Sequence, residues 1–88
     1  PVSTDFAPQA RQAFENVRSA LGASGSSLRH IATMTVFLTE LERDFHEFIE
    51  IRKEVLGSDL CASAVIGVSR LALPALLVEI QAIGYVSA

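Results

Sequence analysis

One carboxylate, Glu79, stands inside the apolar run Leu76-Leu-Val-Glu-Ile-Gln-Ala-Ile83. A carboxylate held in a partly dry cleft can order or activate water. Successive residues of a strand face opposite ways, so Glu79 can equally project outward between Val78 and Ile80 with no chemical role. Ser63 lies in the preceding apolar run, Cys61 to Val68. A serine nucleophile needs a neighbouring base, and no histidine is near Ser63 in sequence, which leaves it a neutral hydrogen-bond donor. Cys61 reads as a small buried hydrophobe. His30 and His46 have no second histidine or cysteine at ligand spacing, so no metal site is expected. Gly22-Ala-Ser-Gly25 would cradle a phosphate only with a strand before it and a helix after it. Here the order is reversed, so the segment reads as a plain connector, and no cofactor is expected. Pro1 as a terminal base would have to open a strand, whereas Pro1-Val-Ser-Thr-Asp5 reads as a loop.

The elements that must hold these residues follow from periodicity. Ala10, Phe14, Val17 and Leu21 recur at helical spacing after Pro8, with Thr4 or Asp5 as the cap and Gly22 as the left-handed stop. Ser26 or Ser27 caps a single turn through Leu28–His30. Ile31–Thr39 alternates as a strand, with Ala32, Met34, Val36 and Leu38 forming an apolar face and threonines, Ile31 and Phe37 a mixed one. That mixed face suits a trimer seam, a pocket or helix packing. A second helix spans Glu40–Leu56, with Leu41, Phe45, Phe48, Val55 and Leu56 on one side and His46 on the solvated side. Its acidic start and basic end complement the helix dipole. Ser58-Asp59 turns the chain into a buried strand at Cys61–Val68, Leu71–Pro74 makes a connection, and a final strand runs from Leu76 to Tyr85. The layout α-β-α-β-β predicts an α+β sandwich, a mixed sheet with two helices on one face.

Composition limits the partners. The 88 residues form one small domain, and a chain of this length buries a modest fraction of its surface. Half the residues are apolar, and the mean hydropathy is +0.39. That excess of apolar surface predicts a homo-oligomer. The net charge is −3, and no basic stripe exists to neutralise phosphates, which argues against nucleic-acid binding. The longest apolar run, Leu71 to Val78, is too short to cross a bilayer. A single cysteine allows no intrachain disulfide and fits a reducing compartment such as the cytoplasm.

Three segments in order carry a family resemblance. Gln9-Ala-Arg-Gln-Ala-Phe-Glu-Asn-Val17 resembles the helix motif "QxRQALENI". Gly25-Ser-Ser-Leu28 with Met34-Thr-Val-Phe-Leu-Thr39 resembles "GxSLxxVVKxTVFLTD". Ala62-Ser-Ala-Val-Ile-Gly-Val-Ser-Arg-Leu71 with Leu77-Val-Glu-Ile-Gln-Ala82 resembles "ARSxVxVxxLPxxxLVEIEA". Together they resemble the RidA/YjgF family of reactive-intermediate deaminases over nearly the whole chain.

The resemblance implies a chorismate-mutase-like fold, a homotrimer, and small-molecule sites between subunits. In the active deaminase branch, an arginine grips the substrate carboxylate, and a glutamate positions the water that hydrolyses an enamine or imine to a ketoacid and ammonia. Glu79 falls on the family glutamate. Ser63 falls on the arginine position, Ile49 on a usual asparagine, and Val65 where some members carry cysteine. The charge match to a 2-imino acid is therefore missing. Family members also begin with a strand hairpin before the first helix, whereas this sequence starts almost at that helix. Two explanations follow: a truncated or processed copy, or a chain whose remaining strands come from another polypeptide. The function expected is that of a trimeric small-molecule-binding protein with hydrolase chemistry on an unusual substrate. The alternative is a non-catalytic subunit that assembles with itself or completes a partner's sheet.

Overall fold

The computed structural model describes residues 5–57 and 61–86. The expectations for Pro1, Thr4 and Ser58-Asp59 lie outside the described residues. Helix α1, Phe6–Ala23, buries Phe6, Ala10 and Phe14 at four-residue intervals. Asp5 occupies its N-cap in extended conformation without a side-chain capping bond. A 3-10 turn, Leu28–His30, leads into strand β1, Ile31–Leu38. Helix α2, Leu41–Leu56, is followed by β2, Ala62–Gly67, and β3, Val78–Gly84.

The sheet order is β2-β1-β3, with β1 parallel to β2 and antiparallel to β3. Parallel pairing of β1 and β2 requires a crossover, which α2 supplies. Both helices cover one face. Met34, Val36 and Leu38 of β1 and Val78 of β3 meet Ala10, Phe14 and Phe48 there. The rings of Phe14 and Phe48 stack at 5.8 Å and 12°, joining the helices over the sheet. An exposed Arg11–Glu54 ion pair at 2.6 Å also links the helices; pairs of this kind contribute at most about 1 kcal/mol. The result is the expected α+β architecture, with two helices on one face of a mixed sheet.

Several local expectations are corrected. Helix α1 runs past Gly22 to Ala23, and the left-handed residue is Gly25, at φ 81°. Amides of Ser24 and Ser26 return to the Leu21 carbonyl at 3.1 and 2.7 Å, closing the helix end there. The core side of β1 takes Ile31 and leaves Ala32 exposed, because the register shifts between Ile31 and Thr33. Phe45 is 38% exposed, since Asp44, one residue earlier and about 100° around the helix, holds the inward position with Phe48 and Ile51. The Arg43 guanidinium donates to both Asp44 carboxylate oxygens at 3.0 Å, so the inward side chain keeps its hydrogen bonds. The same contact holds the Arg43 guanidinium above its ordinary value. Strand β2 is also not buried: only Val65 packs against the core, because β2 is an edge strand beyond the reach of the helices.

Candidate functional site

Alternation fixes where each candidate points. Val78 is buried, Ile80 and Ala82 pack against the core, and Glu79 between them is exposed. Glu79 therefore faces the helix-free side of the sheet, as do Gln81 and Ile83. The register places Glu79 opposite Phe37, and Phe37 opposite Ile66 of β2. Thr33 and Thr35, with Ala62 and Ala64 beside them, extend the same face. Ile66 is 43% and Ile83 66% exposed, so this face is an open, mildly apolar floor with one carboxylate near its border.

Ser63 does not share that floor. It pairs with Met34 and has the parity of Val65, so it belongs to the helix-bearing side, and it is exposed because no helix covers the start of β2. The two candidates lie on opposite faces, two strand spacings apart (about 10 Å) and three residues out of step (about 10 Å more along the sheet). One chain does not bring Ser63 and Glu79 together. Arg70 is held locally, its guanidinium donating to the carbonyls of Leu71 and Ala72 at 3.2 and 3.3 Å.

Between α1 and β3 runs a groove of about 820 Å³. Gln12, Ala13, Asn16, Val17 and Ala20 wall it on the helix side, and Val78, Ile80 and Ala82 on the strand side, with Glu79 at its border. Gln9 fixes its upper end. The Gln9 amide donates to the Ala75 carbonyl at 2.9 Å and accepts from the Leu77 N–H at 2.8 Å, tying the connection before β3 onto α1.

Sequence reasoning did not identify this groove, because its helical wall is built of alanines and amides that read only as the flank of an amphipathic helix. It also missed a polar cluster at the far end of the sheet. There the Ser26 hydroxyl donates to the Tyr85 carbonyl at 2.6 Å, the Ser27 hydroxyl lies 3.4 Å from His30 Nδ1, and the His30 and Tyr85 rings sit 5.0 Å apart. The i, i+3 spacing of Ser27 and His30 around a 3-10 turn was its only sequence signal. Among the described residues, no three His, Cys, Asp or Glu side chains converge as a metal would require. Nor, among them, is any helix long and apolar enough to cross a membrane.

Known proteins share this fold. The family model described as Endoribonuclease L-PSP matches residues 1–86. A RutC family protein of Pyrococcus horikoshii is 37% identical over 84 residues, covering 96% of this chain and 65% of that protein. The crystal structure of yeast Mmf1 superimposes with a TM-score of 0.92 at 30% identity, covering 99% of this chain and 68% of the other. RidA from an Antarctic Psychrobacter species gives 0.90 at 32% identity, covering 98% and 68%. The chain thus spans about two thirds of the length of the relatives it matches. It belongs to the RidA/YjgF family, within which the matching model carries the description Endoribonuclease L-PSP.

Proposed function

We propose that this chain is a RidA/YjgF-type small-molecule-binding protein whose open sheet face, when paired with further copies of the chain as a homotrimer, hydrolyses an enamine or imine. The observation that carries the reading is Glu79. By the sequence resemblance it falls on the family glutamate, and it stands exposed at the border of an open, mildly apolar sheet face. A second copy laid on that face would shield Glu79 from bulk water and supply the second wall that one chain lacks.

The chemistry is the addition of water to a C=N bond. The Glu79 carboxylate takes a proton from water as the oxygen attacks the imine carbon, and the C=N electron pair moves to nitrogen. The nitrogen picks up that proton to give a carbinolamine; Glu79 then passes the hydroxyl proton to the nitrogen, the oxygen lone pair forms the C=O as the C–N bond breaks, and a carbonyl compound and ammonia leave. An enamine substrate first shifts a proton to carbon and enters as the imine. No cofactor takes part. A positioned general base of this kind contributes roughly 10²–10⁴-fold.

The substrate differs from a simple 2-imino acid. Arginine offers a two-pronged donor to a carboxylate, whereas the Ser63 hydroxyl offers one neutral donor. Losing a charge-assisted pair costs about 1.5–3 kcal/mol, which corresponds to roughly 10- to 150-fold in selectivity. Hydrolysis of freshly generated 2-aminoacrylate and of the carboxylate-free benzaldehyde imine, followed by ammonia release, should then differ by less than about tenfold. A preference of a hundredfold or more for the carboxylated substrate would contradict the role of Ser63.

A second reading rests on the separation of Ser63 from Glu79 and the absence of an arginine at position 63: a non-catalytic subunit that assembles with itself or completes a partner's sheet. It predicts assembly without hydrolysis of either substrate. In both readings the protein works in a reducing compartment such as the cytoplasm, consistent with its single cysteine, Cys61. The yeast relative Mmf1 is mitochondrial.

A further inference from the structure

Ser27 and His30 make a side-chain contact that their turn does not require. Ser27 is the N-cap of Leu28–His30, in extended conformation, and its hydroxyl makes no capping bond. It turns instead to the His30 ring, 3.4 Å from Nδ1. The turn closes without it, through the His30 N–H to the Ser27 carbonyl at 3.0 Å. Two further contacts hold the histidine. Its carbonyl accepts the Tyr85 N–H at 2.9 Å, and the Tyr85 ring lies against the imidazole at 5.0 Å and 39°.

The neighbouring Ser26 is a built-in comparison. Its hydroxyl donates to the Tyr85 carbonyl at 2.6 Å, so its proton is committed to an oxygen that cannot serve as a base. Ser27 faces a nitrogen that can. With the ring proton on Nε2, Nδ1 accepts from the Ser27 hydroxyl. A hydroxyl is a weak nucleophile until an adjacent base takes its proton, and such pairs are commonly long before substrate arrives. The pair is also within reach of solvent. Ser27 and His30 are half-buried, while Ser24, Gly25, Arg29 and Tyr85 around them are exposed. So open a corner encloses little of a ligand, which restricts the reaction to donors that carry a good leaving group of their own.

We propose that Ser27 and His30 form a nucleophile–base pair that takes a short acyl group from activated esters. The Ser27 oxygen attacks the ester carbonyl while His30 Nδ1 takes the hydroxyl proton. The tetrahedral intermediate collapses, the C–O bond to the leaving group breaks, and that group departs with the proton from Nδ1. Water then attacks the acyl-serine and gives its proton to Nδ1. The Ser27 oxygen leaves, regains that proton, and a carboxylic acid is released. Glu79 pairs with Phe37 at the other end of β1, about 20 Å along the strand. This inference therefore stands or falls apart from the imine chemistry.

The test uses p-nitrophenyl acetate and the full 88-residue chain. Phenolate release is followed, and the acetyl group is placed by tandem mass spectrometry after an acid quench. Ser27 should be acetylated about tenfold or more faster than Ser26. Hydroxylamine should remove that ester, which separates it from an amide at Lys53. His30→Gln should slow Ser27 acetylation by about tenfold or more. Ser27→Ala should abolish the fast release of phenolate while the thermal melt stays cooperative. Equal acetylation of Ser26 and Ser27, or a Ser27 rate unchanged in His30→Gln, would overturn the proposal. So would phenolate release at the wild-type rate in Ser27→Ala, which would make His30 itself the nucleophile. Should either variant fail to fold, the wild-type ratio of Ser27 to Ser26 decides alone.

Discussion

Gln9 shows how much of the candidate site depends on one buried amide. Its side chain satisfies a donor at Leu77 and an acceptor at Ala75, the two backbone groups that set the entry of β3. Two residues past Leu77 the same strand places Glu79. Gln9→Ala leaves both groups unpaired in a half-buried position, which costs about 1–3 kcal/mol. Chemical denaturation should show that loss as a lower midpoint with unchanged slope. Gln9→Glu keeps the acceptor for Leu77 but removes the donor to Ala75, and should fall between the two. Among the described residues no such network holds Glu79: its direction follows strand parity, with buried Val78 before it and half-buried Ile80 after it.

At the scale of elements, helix periods and strand alternation were legible because the core enforces them. Phe6, Ala10 and Phe14 keep a strict helical interval, and Met34, Val36 and Leu38 keep a strict period of two. The misreadings fall where tertiary context overrides a local pattern. The shift at Ile31 is invisible in a run of β-branched and apolar residues, since either neighbour suits the core. Phe45 looked buried because aromatic character outweighs Asp44 in any hydropathy pattern, whereas the Arg43 fork makes Asp44 the tolerable inward residue. Strand β2 looked buried because edge position is a property of the sheet order, which sequence does not display. The partition of Ser63 and Glu79 to opposite faces was hidden for the same reason, since it needs the register of both strands on β1.

One element contact gives a sharp test. A Cβ at Gly84 would come within 2.7 Å of Leu21 Cδ2 and 3.2 Å of the His30 carbonyl. The Leu21 tip can move, but the backbone carbonyl cannot. Gly84→Ala should therefore destabilise the chain by about 1–3 kcal/mol through overpacking. Thermal unfolding should report a lower midpoint, and a variant as stable as the parent would show that the end of β3 is looser than this contact implies.

The whole molecule is one-sided. Its helices cover one face of the sheet, and the other presents Thr33, half-buried Phe37, Ile66 and Ile83, with no described helix over them. Assembly through that face predicts that Ile83→Lys, a solvent-side change with little cost to the isolated fold, shifts light-scattering mass toward the monomer. A monomeric wild-type chain, or a variant that assembles as well as its parent, would remove this face from the interface. This prediction does not depend on the catalytic reading, but the catalytic reading depends on it. The most direct test of that reading is ammonia release from freshly generated 2-aminoacrylate by the wild-type chain and by Glu79→Gln. The account predicts a wild-type acceleration that falls by about 10²-fold or more in Glu79→Gln, with the assembled mass unchanged; activity that survives the substitution would contradict it.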